Sequence, residues 1–229
     1  MMADRPIVEC RHEIVLFVLK QPPVESDGKT SGYSNVGVMV AGHMAEMATG
    51  KSWEQLMQEL VFDPLHLDSA GFGSPAQNDD DLNQPWGHRV QDEKILAPNR
   101  IDNAPAMGPA GTIHLSLADW CTFLKQFHAD CSKRLITDET LERMLIPVGE
   151  ENFAMGWVSL KRRWAKGKAL THSGSNTFWH ATVWVAPRKN WTIIAAANCE
   201  GDGVHQLLDQ LIGKQIDIAT EAAGSTDDE

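Results

Sequence analysis

Two short stretches concentrate the side chains that could do chemistry. Tyr33, Ser34 and Asn35 stand together just ahead of an apolar run, and Tyr33 is the only tyrosine among the 229 residues. A phenol serves as a general base only when a nearby cation draws down its pKa, ordinarily about 10. An amide beside it can hydrogen-bond a substrate carbonyl or amide. Asn35 also suits the N-cap of the helix that follows. The second stretch is "THSGSN", Thr171–Asn176, between two strand-like runs. His172 offers a switchable cation, and Ser173 and Ser175 offer hydroxyls. Gly174 lets a ligand lie close against the backbone. The same stretch also reads as a tight turn.

Two further matches carry little. "GYSNVG" comes near the nucleophile elbow G-x-S-x-G, but its second glycine is one position late and no alternating strand–helix pattern surrounds it. Ser26 and Lys29 form an S-x-x-K inside "VESDGKTSG", a loop-like stretch with no helix to bury them. Ser26, Ser34, Ser173 and Ser175 are the serines near the site. The sequence places neither a lysine nor a His–Asp pair beside any of them.

The elements that must position these residues are legible from periodicity and punctuation. Residues 11–20 read as a short apolar element ended by Pro22-Pro23, with helix slightly favoured over strand. Val36–Ala48 is apolar or small on nearly every side, which predicts a helix buried all round and stopped at Gly50. Ser52 and Gln55 form a capping box. Trp53, Leu56, Met57 and Leu60 then repeat as one core face until Pro64. Residues 71–110 are rich in proline and loop residues, as an active-site wall would be. The run "NDDD" at 78–81 has adjacent acids rather than calcium-ligand spacing, and reads as a solvated loop. Ser116 and Thr137 open two more helices, around Trp120, Phe123, Leu124 and Phe127, and around Leu141, Met144 and Leu145.

After Gly149 four strands follow, the last two joined at "RKN" as a hairpin. Val204, Leu207, Leu208, Leu211 and Ile212 mark a closing helix. The acidic tail, 221–229, reads as disordered. Helices first, then an antiparallel sheet, then one helix define an α+β class, with a helical part over about 11–148 and a sheet with its closing helix over about 149–215. Residues 1–220 read as one domain.

The bulk numbers bound the partners. Net charge is -11, with 42 % hydrophobic and 22 % charged residues. Nucleic acid needs a basic face, so it is not an expected partner. No apolar run is long enough for a transmembrane segment. The N-terminus lacks the pattern of a signal peptide. Cys10, Cys121, Cys131 and Cys199 show neither zinc spacing nor a C-x-x-C pair, and read as free thiols.

Taken together, "GYSNVG" before an apolar helix, "ATGKSWEQLMQELVFDPLHLDSAGFG", "GPAGTIHLSLADWCTF" and "HSGSN" resemble the serine β-lactamase and penicillin-binding-protein family. The likeness is to its class C β-lactamase-like branch, which includes D-alanyl-D-alanine carboxypeptidases and esterases. It runs from about Ile14 to Ile212. The resemblance implies a β-lactamase/transpeptidase-like fold and hydrolysis of amide or ester bonds through an acyl-enzyme, with no metal or organic cofactor. The implied substrate is a small molecule or peptide: an ester, a D-Ala peptide or a β-lactam. It implies Tyr33 as the phenol that shuttles protons and Asn35 as the group that binds the substrate amide. His172, Ser173 and Gly174 become the strand-edge motif, and the Ser175 N–H an oxyanion donor. His172 stands where many relatives have lysine, which favours an esterase or D-Ala-D-Ala peptidase over a dedicated β-lactamase.

The family's S-x-x-K lies well upstream of its Y-x-N motif, behind the first strands of the sheet. Only 32 residues precede Tyr33, so the chain is expected to correspond to the C-terminal two-thirds or so of such an enzyme, without the nucleophile. The expected alternative is a non-catalytic protein of this lineage. It would bind ligands through the same face, or dimerise through the sheet edge that missing strands would leave open.

Overall fold

The computed structural model describes residues 5–22, 33–76, 78, 81, 83–91, 94–96, 98, 100–148, 152–201 and 203–224. Ser26 and Lys29 lie outside them, as do Asp79 and Asp80 of the acidic run at 78–81. The chain begins with α1 (Ile7–Val18) and α2 (Asn35–Thr49). Ser34, not Asn35, caps α2, its hydroxyl accepting from the Gly37 N–H at 2.9 Å. Gly50, at φ 71°, ends the helix in the left-handed conformation that glycine adopts without strain. The expectation that α2 is buried all round does not hold. It buries Met39, Gly42, His43 and Glu46, while Val38, Met44 and Met47 face outward. Among the described residues its packing comes from the side where α1 and the segment around Pro109 lie.

The capping box forms as expected, Ser52 Oγ accepting from Gln55 N and Gln55 Oε1 from Ser52 N. It opens α3 (Trp53–Met57). The expected core stripe then breaks. Gln58–Phe62 is a π-helical turn leading into α4 (Asp63–Leu65). Pro64 has no N–H for the Leu60 carbonyl, and its ring crowds that carbonyl, so the preceding turn widens by one residue. The side chains beyond rotate accordingly: Leu60 is 60 % exposed and Phe62 is buried.

Residues 71–114 contain short strands that the loop-like composition concealed. β1 (Gly71–Phe72), β2 (His88–Gln91) and β3 (Lys94–Ile95) precede a 3₁₀ turn at Pro105–Met107, then α5 (Gly108–Gly111) and β4 (Ile113–His114). β1 pairs with β4, and β2 pairs with β3. The next two helices, α6 (Leu117–Leu124) and α7 (Asp138–Met144), are capped by Ser116 and Thr137 as expected.

The main sheet is antiparallel in chain order: β5 (Val158–Arg162), β6 (Gly167–Ser175), β7 (His180–Ala186) and β8 (Trp191–Ala197). β9 (Cys199–Glu200) pairs in parallel with β2. Alternation along the strands gives two covered faces. Leu170, Val183 and Val185 pack with Leu124, Phe127, Leu141 and Leu145 of the helical side. Ile193 and Ala195 pack under α8 (Val204–Gly224), against Val204, Leu208 and Ile212. Each of the valine, leucine, isoleucine and phenylalanine side chains among them stabilises the fold by about 1.5–3 kcal/mol when fully buried. Leu207 and Leu211 are exposed, so the buried stripe of α8 is narrower than its sequence suggests. The helix also continues through Gly224, so residues 221–224 are helical rather than the start of a disordered tail. All four cysteines are free. No helix among the described residues is long and apolar enough to cross a membrane.

The π-turn makes a direct prediction. Phe62→Ala should lose about 3–5 kcal/mol in a urea titration, whereas Leu60→Ala should stay within about 0.5 kcal/mol of wild type. The regular stripe of the sequence puts Leu60, not Phe62, on the core face and so predicts the reverse order.

Candidate functional site

The Tyr33–Asn35 turn forms a local pair. With Ser34 doing the capping, the Asn35 side chain is available, and its Oδ1 accepts the Tyr33 O–H at 2.7 Å. Tyr33 is 77 % exposed. Among the described residues no hydrogen bond joins this turn to the His172–Ser175 strand.

On β6 the motif divides between the two sheet faces. His172 and Gly174 lie opposite Val183 and Ala181, toward the helical side. Ser173 and Ser175 point the other way, toward α8. Ser173 Oγ is 3.2 Å from Thr182 Oγ1, and Ser175 Oγ is 3.2 Å from His180 Nε2. Any service of Ser173 and Ser175 to a ligand beside His172 is therefore through their backbone. Among the described residues that backbone is open: β5 pairs with β6 only as far as Thr171, and His172–Ser175 pair with β7 alone. The unoccupied strand edge can take an extended ligand.

What couples the two stretches is a network that the sequence reading did not identify. α2 and α5 touch so closely that a Cβ on Gly42 would lie 2.4 Å from Pro109 Cγ. At the C-terminal end of α5 the Gly111 carbonyl accepts from Asn103 Nδ2, at 3.0 Å, and from Asn176 Nδ2. Asn176 Nδ2 also donates to Asp102 Oδ1 at 2.9 Å, and its Oδ1 accepts from Asn103 Nδ2 at 2.9 Å. Asn176 directly follows β6. The helix carrying Asn35 and the strand carrying His172 are thus tied through one carbonyl. Burial pushes the Asp102 carboxyl up from its ordinary pKa, opposed by hydrogen bonds from the Asn103 backbone and the Asn176 amide.

His180 was also missed. The usable signal was the hairpin itself: a four-residue turn, 176–179, sets residue 175 directly opposite 180. Among the described residues no group of three or more His, Cys, Asp or Glu is arranged to hold a metal ion.

The chain belongs to the beta-lactamase family, whose profile, described as "Beta-lactamase", matches residues 2–215. A curated relative, "Beta-lactamase" of Escherichia coli (strain K12), is 29 % identical over 113 residues, which is 49 % of this chain and 29 % of that protein. Among solved structures, the octameric penicillin-binding protein homologue from Pyrococcus abyssi superposes with a TM-score of 0.68 at 19 % identity, over 86 % of this chain and 46 % of that one. The beta-lactamase/D-alanine carboxypeptidase from Yersinia pestis, solved with citrate, gives 0.64 at 14 % identity, over 96 % and 64 %. The fold expected from sequence is therefore the fold observed. The chain spans only 29 % of that curated relative's length and 46 % and 64 % of those two solved chains.

Two measurements check the coupling network. Asn176→Ala removes donors from Gly111 and Asp102 and should cost about 1–3 kcal/mol in chemical denaturation. An acid whose pKa is raised by folding contributes stability at low pH and loses it as pH rises through the folded value. Asp102→Asn should therefore compare more favourably with wild type in thermal unfolding at pH 7 than at pH 4.

Proposed function

We propose that this chain supplies the substrate-binding face of a β-lactamase-related serine hydrolase that cleaves amide or ester bonds through an acyl-enzyme. The observation that carries this reading is the open edge of β6 at His172–Ser175, clamped through Asn176 and Gly111 to the helix that begins at Asn35. An acyl substrate lies along that edge. The Ser175 N–H points to the developing oxyanion, and Asn35 bonds the substrate amide. Tyr33 shuttles protons between the nucleophile and the leaving group. One oxyanion donor of this kind is worth about a hundredfold to a thousandfold in rate. The acylated serine, in this reading, belongs to an S-x-x-K segment that completes the cleft.

His172 sets the preference among substrates. Histidine lacks the permanent ammonium charge of the lysine that stands here in many relatives. It gives less to the carboxylate of a penicillin. Simple esters and D-Ala-D-Ala peptides are therefore the favoured class.

A second reading is association through the sheet. β8 has a strand neighbour on one side only among the described residues, and it offers seven residues to a partner strand. Light scattering that shows a dimer, lost on Thr192→Pro, supports this reading, and a monomer at all concentrations ends it.

The binding reading is tested by titrating ¹⁵N-labelled chain with a D-Ala-D-Ala peptide. Shifts are expected at the amides of Asn35 and 172–175 with millimolar affinity. His172→Lys should tighten binding by up to about fivefold through the added charge. A spectrum unchanged at millimolar peptide overturns the assignment.

A further inference from the structure

The face of the sheet turned away from His172 carries its own pairing of a hydroxyl and an imidazole. Ser175, the last residue of β6, is exposed, and its Oγ sits 3.2 Å from Nε2 of His180, the first residue of β7. We propose that Ser175 and His180 form a second acyl-transfer pair, contained wholly in this chain, that reacts with short unhindered esters on the α8 side of the sheet.

Four observations support it. The distance is within reach of direct proton transfer from nucleophile to base. The pair is rigid, because the two residues are register partners and the turn between them is closed by Asn176 N donating to Trp179 O at 3.0 Å. The Asn176 side chain anchors that turn to Asp102 and Gly111, so the Ser175 backbone is held on both sides. Finally, the charge state suits a base. Burial lowers the His180 pKa from its ordinary value, and the neighbouring His205 on α8 lowers it further. Glu200 on β9 acts in the opposite sense, but its carboxylate is engaged by Arg89 Nε at 2.6 Å. These influences favour the neutral imidazole, and in its Nδ1–H tautomer Nε2 can accept the Ser175 hydroxyl proton.

The chemistry balances without any other reagent than water. His180 Nε2 takes the hydroxyl proton as Ser175 Oγ bonds to the ester carbonyl carbon. The tetrahedral adduct collapses, the bond to the alkoxy group breaks, and the departing alkoxide takes the proton from His180. Water, deprotonated by the same imidazole, then attacks the acyl-Ser175 ester. The carboxylic acid leaves and the proton returns to Ser175 Oγ. Because no side chain orients the far nitrogen of His180 among the described residues, the pair is expected to label readily and turn over slowly.

The test is intact mass of the chain after incubation with a fluorophosphonate and, separately, with p-nitrophenyl acetate. One adduct per chain is expected, mapped by peptide sequencing to Ser175. Ser175→Ala abolishes it, and His180→Gln slows it by about a hundredfold or more. The labelling rate climbs with pH along a single curve whose midpoint lies below the ordinary imidazole value of about 6.5. Absence of an adduct on protein folded by circular dichroism, an adduct on another serine, or an undiminished rate in His180→Gln overturns the proposal. Mapping on the wild-type chain decides the matter even if a variant does not fold. The peptide titration reports on the His172 face, so either result can fail while the other stands.

Discussion

The helical half depends on one buried charge. Arg11 on α1 is fully enclosed, and a guanidinium cannot shed its proton to escape that environment. It must instead be met by acids and carbonyls from all sides. Glu46 on α2 and Glu54 on α3 provide the carboxylates, the Ala106 carbonyl accepts from Nε, and the Pro105 carbonyl accepts from Nη2, which also meets Glu54. Glu46 is itself held by the Trp53 N–H and by His43 Nδ1. Three helices and the turn before α5 are therefore fixed relative to one another by a single side chain. Leaving one of its partners unpaired costs about 3–5 kcal/mol in comparable buried pairs.

That constraint reaches the candidate site through α5. The 105–107 turn that Arg11 grips leads directly into Gly108, where an added Cβ would meet Trp53, Glu54 and Arg11. The same short helix presses Pro109 against Gly42 and ends at Gly111, whose carbonyl receives Asn103 and Asn176. The position of His172 relative to Asn35 is thus set by packing at one end of α5 and by hydrogen bonding at the other. Glycine at 42 is needed for contact distance, and at 108 and 111 an added Cβ would crowd side-chain atoms at 3.0 Å and 3.1 Å; none of the three has an unusual backbone angle.

The sheet adds a second constraint, the strict alternation of its side chains. Four consecutive residues, His172–Ser175, cannot all face one ligand. His172 and the bare α-carbon of Gly174 face the helices while the Ser173 and Ser175 side chains face α8, so a ligand beside His172 would meet the two serines only through their backbone. That division frees Ser175 Oγ from the family cleft and places it beside His180. It links a property of every β-strand to two distinct chemical possibilities on one short segment.

Much of this was determined by sequence alone, because the signals are local. The caps at Ser52, Ser116 and Thr137, the Gly50 stop, the hairpin at Arg188–Asn190 and the motifs at Tyr33 and His172 each depend on residues a few positions apart. The family likeness rests on the same stretches in their order. What only the tertiary structure decided depends on residues distant along the chain. β1 with β4 and β2 with β9 are two-residue pairings, too short to leave a periodic trace. The Asp102–Asn103–Gly111–Asn176 network joins residues some 70 positions apart. The exposure of Met44 and Met47, and of Leu207 and Leu211, follows from which faces have a neighbour, and composition is blind to that. The exchange of Leu60 for Phe62 in the core arises from a clash at Pro64 that periodicity does not register. Local geometry writes itself into neighbouring residues, whereas packing is a property of surfaces that meet only after the chain has folded.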